Sequence, residues 1–439
     1  MNKHLIQYTV VAALGGLLFG FDTVVISGAT DALKNLYQLT PLLLGITVAS
    51  GLCGTVFGSM FAGQPSDRYG RRGCLQALAV LYVVTALGCA LAPSWSVFVT
   101  FRLIGGLAIG GSSVIGPMYI AEIAPAAKRG RLVGLFQFNI VSGILLAYLS
   151  NYLIGRIGLG ADEWRWKLGI TALPAALFFT ALFSIPQSPR WLVRRGRTGE
   201  ARAIFQQIGE PNPDQEVRDI VQSVESENRE KNEPLFIARY RTPILLAISI
   251  GVFNQLSGIN AILYYLNDIF AKAGFNKVSS DLQAVAIGAT NFLFTLIAMT
   301  VIDRLGRKKL LLTGAVGTAV CQAGVALVFF TGSHESMLVW LLVGFIAFFA
   351  FSQGAVIWVY LSEVFPNLVR AKGQSLGSST HWIMNALIST IFPVLAAHSR
   401  PLPFVFFAAA TAVQFFVVLF WYPETKGVTL EAMQKTLEA

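Results

Sequence analysis

Charge is scarce in this chain. Asp, Glu, Lys and Arg make up 13% of its 439 residues while 54% are hydrophobic, a balance that excludes a water-soluble domain of this length. Cysteine is nearly absent: Cys53, Cys74, Cys89 and Cys321 form no CxxC pair and have no histidine at ligand spacing, which excludes a disulfide framework and a metal site. The four histidines, His4, His334, His381 and His398, are scattered and accompany no paired carboxylates, so no catalytic constellation is in view and no cofactor is expected. Repeated pore loops and rings of charge are lacking too, which argues against a channel, and no segment is long enough for an appended signalling domain.

What the chain has is apolar length. Crossing the hydrocarbon takes roughly 20 apolar residues, and runs of that kind lie at 6–29, 42–62, 74–92, 97–121, 131–154 and 168–186, then at 243–272, 282–302, 309–331, 337–362, 372–396 and 402–422. The first is read as a retained helix and not a signal peptide, because it carries Asp22 within its apolar stretch and no cleavage site follows. The net charge of +10 does not point to nucleic acid. The basic residues gather in short turns at 67–72, 128–131, 303–309 and 370–372, which the positive-inside rule places in the cytoplasm together with both termini. With no recognisable eukaryotic sorting signal, a bacterial inner membrane is the expected location.

The chain repeats itself. Asp67-Arg68-Tyr69-Gly70-Arg71-Arg72 returns as Asp303-Arg304-Leu305-Gly306-Arg307-Lys308, and Tyr119, Glu122 and Arg129 return as Tyr360, Glu363 and Arg370. Pro186-Gln187-Ser188-Pro189-Arg190 after the sixth run has its counterpart in Pro423-Glu424-Thr425-Lys426-Gly427 after the twelfth. Three landmarks at nearly one offset indicate a duplicated six-helix unit. The expected organisation is an all-α membrane protein with an N-terminal bundle over 1–186, a cytoplasmic helical linker over 187–241, a C-terminal bundle over 242–422 and a cytoplasmic tail over 423–439. Helical stretches are expected in the linker from Thr198 to Ile208 and from Asp214 to Glu230.

An ionisable group inside a span is costly, so Asp22 in the first run and Arg102 near the start of the fourth call for a partner or a purpose. A static ion pair joining the two spans is one reading. The other is proton coupling, in which moving the arginine away lets the carboxylate take up a proton and bringing it back expels it. The Glu122/Arg129 and Glu363/Arg370 pairs, with Asp67, Arg68, Arg71, Asp303, Arg304 and Arg307 of the repeated turns, are either solvated helix ends or charge networks between the bundles that close the cytoplasmic side in one state.

Neutral amides beside an aromatic face suit a polyhydroxylated ligand, whose hydroxyls both donate and accept. The seventh run supplies Asn254, Gln255 and Asn260 around Gly258, a glycine that can loosen the helix as in discontinuous transporter helices. Further amides stand at Gln137, Asn291 and Asn385, with Trp358 and Trp382 in the tenth and eleventh runs. Each amide alone could equally be an interhelical hydrogen bond. Phe19, Tyr264 and Tyr265 read as packing aromatics, or more sharply as a gate. Gly105, Gly106, Gly110 and Gly111 lack the strand and the Lys-Ser/Thr of a phosphate loop, and fit close helix packing instead.

From about Leu14 to Gly427 the chain resembles the sugar porter branch of the major facilitator superfamily. The Gly-Arg-Arg/Lys turns, Arg102-Leu-Ile-Gly-Gly, Gln255-Leu-Ser-Gly-Ile-Asn260 and the final Pro-Glu-Thr-Lys-Gly carry the resemblance together. It implies a monosaccharide carrier working as a monomer by alternating access, with Asp22 as the coupling carboxylate and Arg102 as its partner. It also implies that Gln137, Gln255, Asn260, Asn291, Trp358 and Asn385 contact sugar. Ile144 resembles the glucose carriers, where the xylose symporter has a polar residue, and tilts the expectation to a hexose. His381 stands where relatives carry Gln or Asn, Asn254 where a second Gln is common, and Gln187 where Glu is usual, which implies a weaker cytoplasmic latch. A facilitative uniporter and a pentose symporter are the competing expectations.

Overall fold

The computed structural model describes residues 2–125, 128–229, 233–366 and 368–428, with Met433 and Leu437. The end of the second expected linker helix, at residue 230, and most of the tail lie outside these. Among the described residues there is no strand, and twelve helical segments are long and apolar enough to cross a membrane. In order they are Lys3–Gly28, Pro41–Phe61, Arg71–Ala90, Trp95–Ile123, Arg129–Ile157 and Gly160–Ser184, then Ala238–Tyr264, Lys277–Leu305, Arg307–Thr331, Met337–Glu363, Lys372–His398 and Leu402–Trp421, here spans one to twelve.

Each expected run corresponds to one span. Span six begins at Gly160, earlier than expected, because Glu163–Gly169 already forms a helix whose Trp164 and Lys167 are buried. Charged residues there hid the helix from a reading based on apolar length.

Residues 1–23, 54–147 and 165–232 form one compact unit. Its core joins Leu18, Tyr82, Ile109, Tyr119, Phe136 and Phe178. Helix Thr198–Gln207 of the linker packs on the same core through Phe205, and the Tyr8 hydroxyl donates to the Gln207 side chain at 3.0 Å. Glycines let the spans of this unit touch backbone to backbone: a Cβ at Gly110 would collide with the Thr55 carbonyl, and one at Gly20 with the Ile140 carbonyl. The glycine run of span four thus serves close packing, as its spacing implied.

Residues 24–53, 148–164 and 233–439 form the second unit, with a core that includes Ile250, Leu310, Tyr360, Phe365 and Tyr422. It holds the ends of spans one and five, where the Asn151 amide donates to the Val25 carbonyl at 3.1 Å and the Tyr148 hydroxyl to the Leu263 carbonyl at 2.7 Å.

Span seven is broken once within its length and once at its end. Helix Arg241–Leu256 stops where Gly258 takes φ +79°, a conformation that only glycine adopts without strain, and its absent Cβ leaves room for the Phe407 ring. Helix Ile259–Tyr264 follows, and a second break at Tyr265 starts helix Leu266–Lys272. Span ten breaks at Ser352 between Met337–Phe351 and Gln353–Glu363.

Candidate functional site

In the first unit Asp22 and Arg102 are brought together as the sequence suggested. Arg102 Nη1 donates to Asp22 Oδ2 at 3.0 Å, with only 7% and 15% of the two side chains exposed. Arg102 Nε is buried with no acceptor among the described residues, and a cavity of about 10 Å³ lined by Asp22, Thr85, Cys89 and Arg102 adjoins it. That is about the space of a single water. Gln137 is half-buried in span five, Ile144 is buried one helical stretch further on, and Phe19 packs at the edge of the core.

In the second unit the amides form a connected group. Gly251 of span seven lies against the Gly377 carbonyl and His381 backbone nitrogen of span eleven, where an added Cβ would sit 3.0 and 3.2 Å from them. One turn further along each helix the side chains of Gln255 and His381 therefore meet, with Gln255 Nε2 3.2 Å from the ring nitrogens. Gln255 Nε2 also lies 3.1 Å from Asn254 Oδ1, and its Oε1 accepts from Asn260 Nδ2 at 3.0 Å across the break at Gly258. His381 touches both tryptophans, with ring centroids 5.2 Å from Trp358 and 5.1 Å from Trp382. Trp358 is 39% exposed, leaving an aromatic face open beside buried amides.

A second group sits beyond the break. Asn385 Nδ2 donates to the Tyr264 hydroxyl at 3.1 Å, Ser389 donates to Asn385 Oδ1 at 3.2 Å, and the Tyr265 hydroxyl donates to the Ser389 carbonyl at 2.9 Å. Tyr265 stacks on Phe392 at 5.2 Å. Asn291 is buried in span eight but is not drawn into either group. Sequence reading passed over Gln322, whose Nε2 donates to the Ser257 carbonyl at 3.0 Å, and Gln353, buried at the break of span ten with neither side-chain polar atom partnered among the described residues. A search for every amide inside an apolar run would have found both.

The repeated turns fold into matching networks. Arg71 Nε and Nη2 donate to the Glu122 carboxylate at 3.0 and 2.8 Å, and Nη1 to Asp67 at 2.9 Å. Arg307 does the same with Glu363 at 3.1 and 2.8 Å and pairs with Asp303 at 3.2 Å. Ser188 donates to Glu122 as Thr425 does to Glu363. Gln187 accepts from the Arg72 N–H at 3.3 Å, the place where Glu424 accepts from the Arg307 and Lys308 N–H groups. The partners of Glu122 and Glu363 are thus Arg71 and Arg307, not the adjacent Arg129 and Arg370. Arg129 lies exposed beyond the turn, and Arg370 donates to the Phe365 carbonyl at 3.4 Å. A buried guanidinium with five donors takes the carboxylate that its own helix packs against. Arg68 and Arg304 contribute carbonyls, to Arg195 and Lys426.

Twelve spans in repeated halves, a membrane-embedded acid–base pair and an amide and tryptophan cluster at a broken helix define a secondary carrier. The family model "Sugar (and other) transporter" matches residues 8–437, so the chain belongs to that family. It is 34% identical to the D-xylose-proton symporter of Escherichia coli K12 over 100% of this chain and 96% of that protein. It is 36% identical to the glucose transport protein of Synechocystis, covering 98% and 97%. The inward-open structure of the xylose transporter XylE from E. coli superposes with a TM-score of 0.88 at 33% identity, covering 98% and 99%. The fold is the major facilitator fold, and the chain is a multi-pass sugar transporter and not an enzyme.

Proposed function

We propose that the protein is a proton-coupled monosaccharide symporter of a bacterial inner membrane, acting as a monomer by alternating access with a hexose, glucose first, as its substrate. The observation that carries this reading is the buried Asp22–Arg102 pair at 3.0 Å. Removing either charge strands the other in a poorly solvated site, so the pair separates only when something else neutralises the carboxylate. A proton does that, and it frees Arg102 to leave.

Gln255, Asn254, Asn260, His381 and Asn385, joined by Gln137 and Asn291, supply the hydrogen bonds of the sugar, and Trp358 and Trp382 its aromatic face. The xylose and glucose relatives support a monosaccharide in general. The buried, apolar Ile144 supports the hexose. Tyr264, Tyr265 and Phe19 serve occlusion, and the Arg71 and Arg307 networks hold the cytoplasmic helix ends, with both termini in the cytoplasm.

Reconstitution in liposomes under an inward proton gradient with a negative interior tests the proposal. One charge across 100 mV is worth about 2.3 kcal/mol, enough for roughly 50-fold accumulation. Wild type should concentrate labelled glucose, and Asp22→Asn should only exchange or equilibrate it. Equilibration by wild type would make the protein a uniporter, and accumulation of xylose but not glucose would overturn the hexose assignment.

A further inference from the structure

Another acidic side chain, Asp268, is set into a cavity. Asp268 lies on helix Leu266–Lys272, after the second break of span seven and outside the membrane-spanning segments. This is the end of the second unit remote from the Gly306-Arg307 turn, separated from it by the 29 residues of span eight, about 43 Å of helix. The cavity measures about 280 Å³, with apolar walls that include Leu44, Ile269, Phe392 and Phe404. The charged groups facing it are Asp31 and Lys34 from helix Thr30–Leu36, Lys272 from Asp268's own helix and Arg400 from the turn after span eleven. All four are exposed, so solvent weakens their hold on Asp268, which is half-buried.

The partner of Asp268 is the buried Thr30, and the geometry there counts protons. Thr30 Oγ1 is 3.1 Å from the Ser27 carbonyl and 3.2 Å from Asp268 Oδ1. The hydroxyl has one proton. While Asp268 is a carboxylate, both neighbours are acceptors and only one can be served. Once it is a carboxylic acid, Thr30 donates to Ser27 and accepts the acid proton from Asp268, and every contact is made.

We propose that Asp268 is a second proton-binding site of this carrier, whose protonation latches the outer end of span seven to Thr30 and whose ionisation releases it. The inference rests on the transporter reading and its orientation, and is independent of the role given to Asp22. Burial raises the Asp268 pKa from 3.8 to about 6, outweighing the lowering by Thr30 and Lys272. A closed latch therefore holds the proton more tightly than a solvated carboxylate does. The sign follows: the latch gains stability at low pH and loses it as pH rises through about 6, by a factor on the order of 100 in the closing constant. Protons arriving from outside then favour closure of that side.

Accessibility of the cavity tests this without requiring transport. Ala396 lines the cavity and is buried, and a single reporter is made as Ala396→Cys with Cys53→Ala. Labelling by an impermeant maleimide from pH 5 to 8 is referred to the rate of the denatured protein at the same pH. The expected relative rate is low at pH 5 and rises up to about tenfold by pH 8 with a midpoint near 6. Asp268→Asn, whose amide donates to Thr30 as the acid does, should stay protected throughout. Thr30→Val should lose the protection at low pH, and Asp22→Asn should keep the wild-type profile. A flat profile in the parent, or an unchanged one in Asp268→Asn, overturns the proposal. Should Asp268→Asn fail to fold, Asp268→Glu must displace the midpoint, and an unmoved midpoint counts equally against it.

Discussion

Gln255 Nε2 lies 3.2 Å from the His381 ring, one turn beyond the place where Gly251 meets the Gly377 carbonyl. The contact is a consequence of two glycines: they let spans seven and eleven approach, and the next turn of each carries the polar side chain. Gln255 is fully buried and ties Asn254, Asn260 and His381 into one group.

Its truncation should therefore cost more than its own hydrogen bonds to substrate. Gln255→Ala leaves Asn260 and His381 without their partner, and lost or orphaned buried hydrogen bonds cost about 1–3 kcal/mol. Sugar affinity, measured by isothermal titration or counterflow, should fall roughly 10- to 100-fold while the protein stays folded. An unchanged affinity would remove Gln255 from the sugar site.

The cytoplasmic networks separate a strong member from a weak one. Arg71 is 3% exposed and Glu122 9%, whereas Asp67 is 54% exposed. Glu122→Gln should lower stability by about 3–5 kcal/mol, because it leaves a buried guanidinium underpaired. Asp67→Asn should cost under about 1 kcal/mol. Thermal melting in detergent at fixed pH checks both, and equal losses would contradict the difference in burial.

The twelve spans were legible because apolar length is a one-dimensional property, and the Asp22–Arg102 pair because two charges in apolar helices have few alternatives. The partners of Glu122 and Glu363 were not. Proximity in sequence pointed to Arg129 and Arg370, but the turn carries these away while a neighbouring helix delivers Arg71 and Arg307. The two breaks of span seven differ in the same way: Gly258 marks one, whereas nothing in Tyr264-Tyr265-Leu266 announces the other. Asp268 stood in an expected span and passed unremarked, since its cavity is assembled from segments far apart in the chain.

Gly258 gives a prediction that separates backbone from side chain. At φ +79° any other residue is strained by about 1–2 kcal/mol, and a Cβ there meets the Phe407 ring. Gly258→Ala should lower the melting temperature and slow exchange even though no polar group is lost. Pairing it with Phe407→Leu, which vacates the ring's position, should restore part of the loss. No recovery would assign the defect wholly to the backbone.

Gln187 occupies the place that Glu424 holds in the repeat, accepting from the first N–H groups of a span. A carboxylate at a helix N-terminus contributes about 0.3–1 kcal/mol. Gln187→Glu should raise stability by that amount at low ionic strength, and the gain should shrink in high salt. A loss instead would mean that repulsion from Glu122, which shares Ser188 with this turn, prevails.

The Asp22–Arg102 pair allows a double-mutant cycle that distinguishes a coupling device from a structural one. Each single change, Asp22→Asn or Arg102→Met, breaks a pair buried to 15% and 7% exposure, and Arg102→Met leaves a carboxylate in a site with room for about one water. The double variant removes both charges and should be more stable than Arg102→Met alone, by about 1–3 kcal/mol of coupling. Stability alone would be regained in this way whether the pair is static or mobile. Transport separates the cases: a static pair predicts that the folded double variant still accumulates sugar under an inward proton gradient. The coupling reading predicts that it exchanges sugar and accumulates none, because the proton carrier is gone while the scaffold is intact.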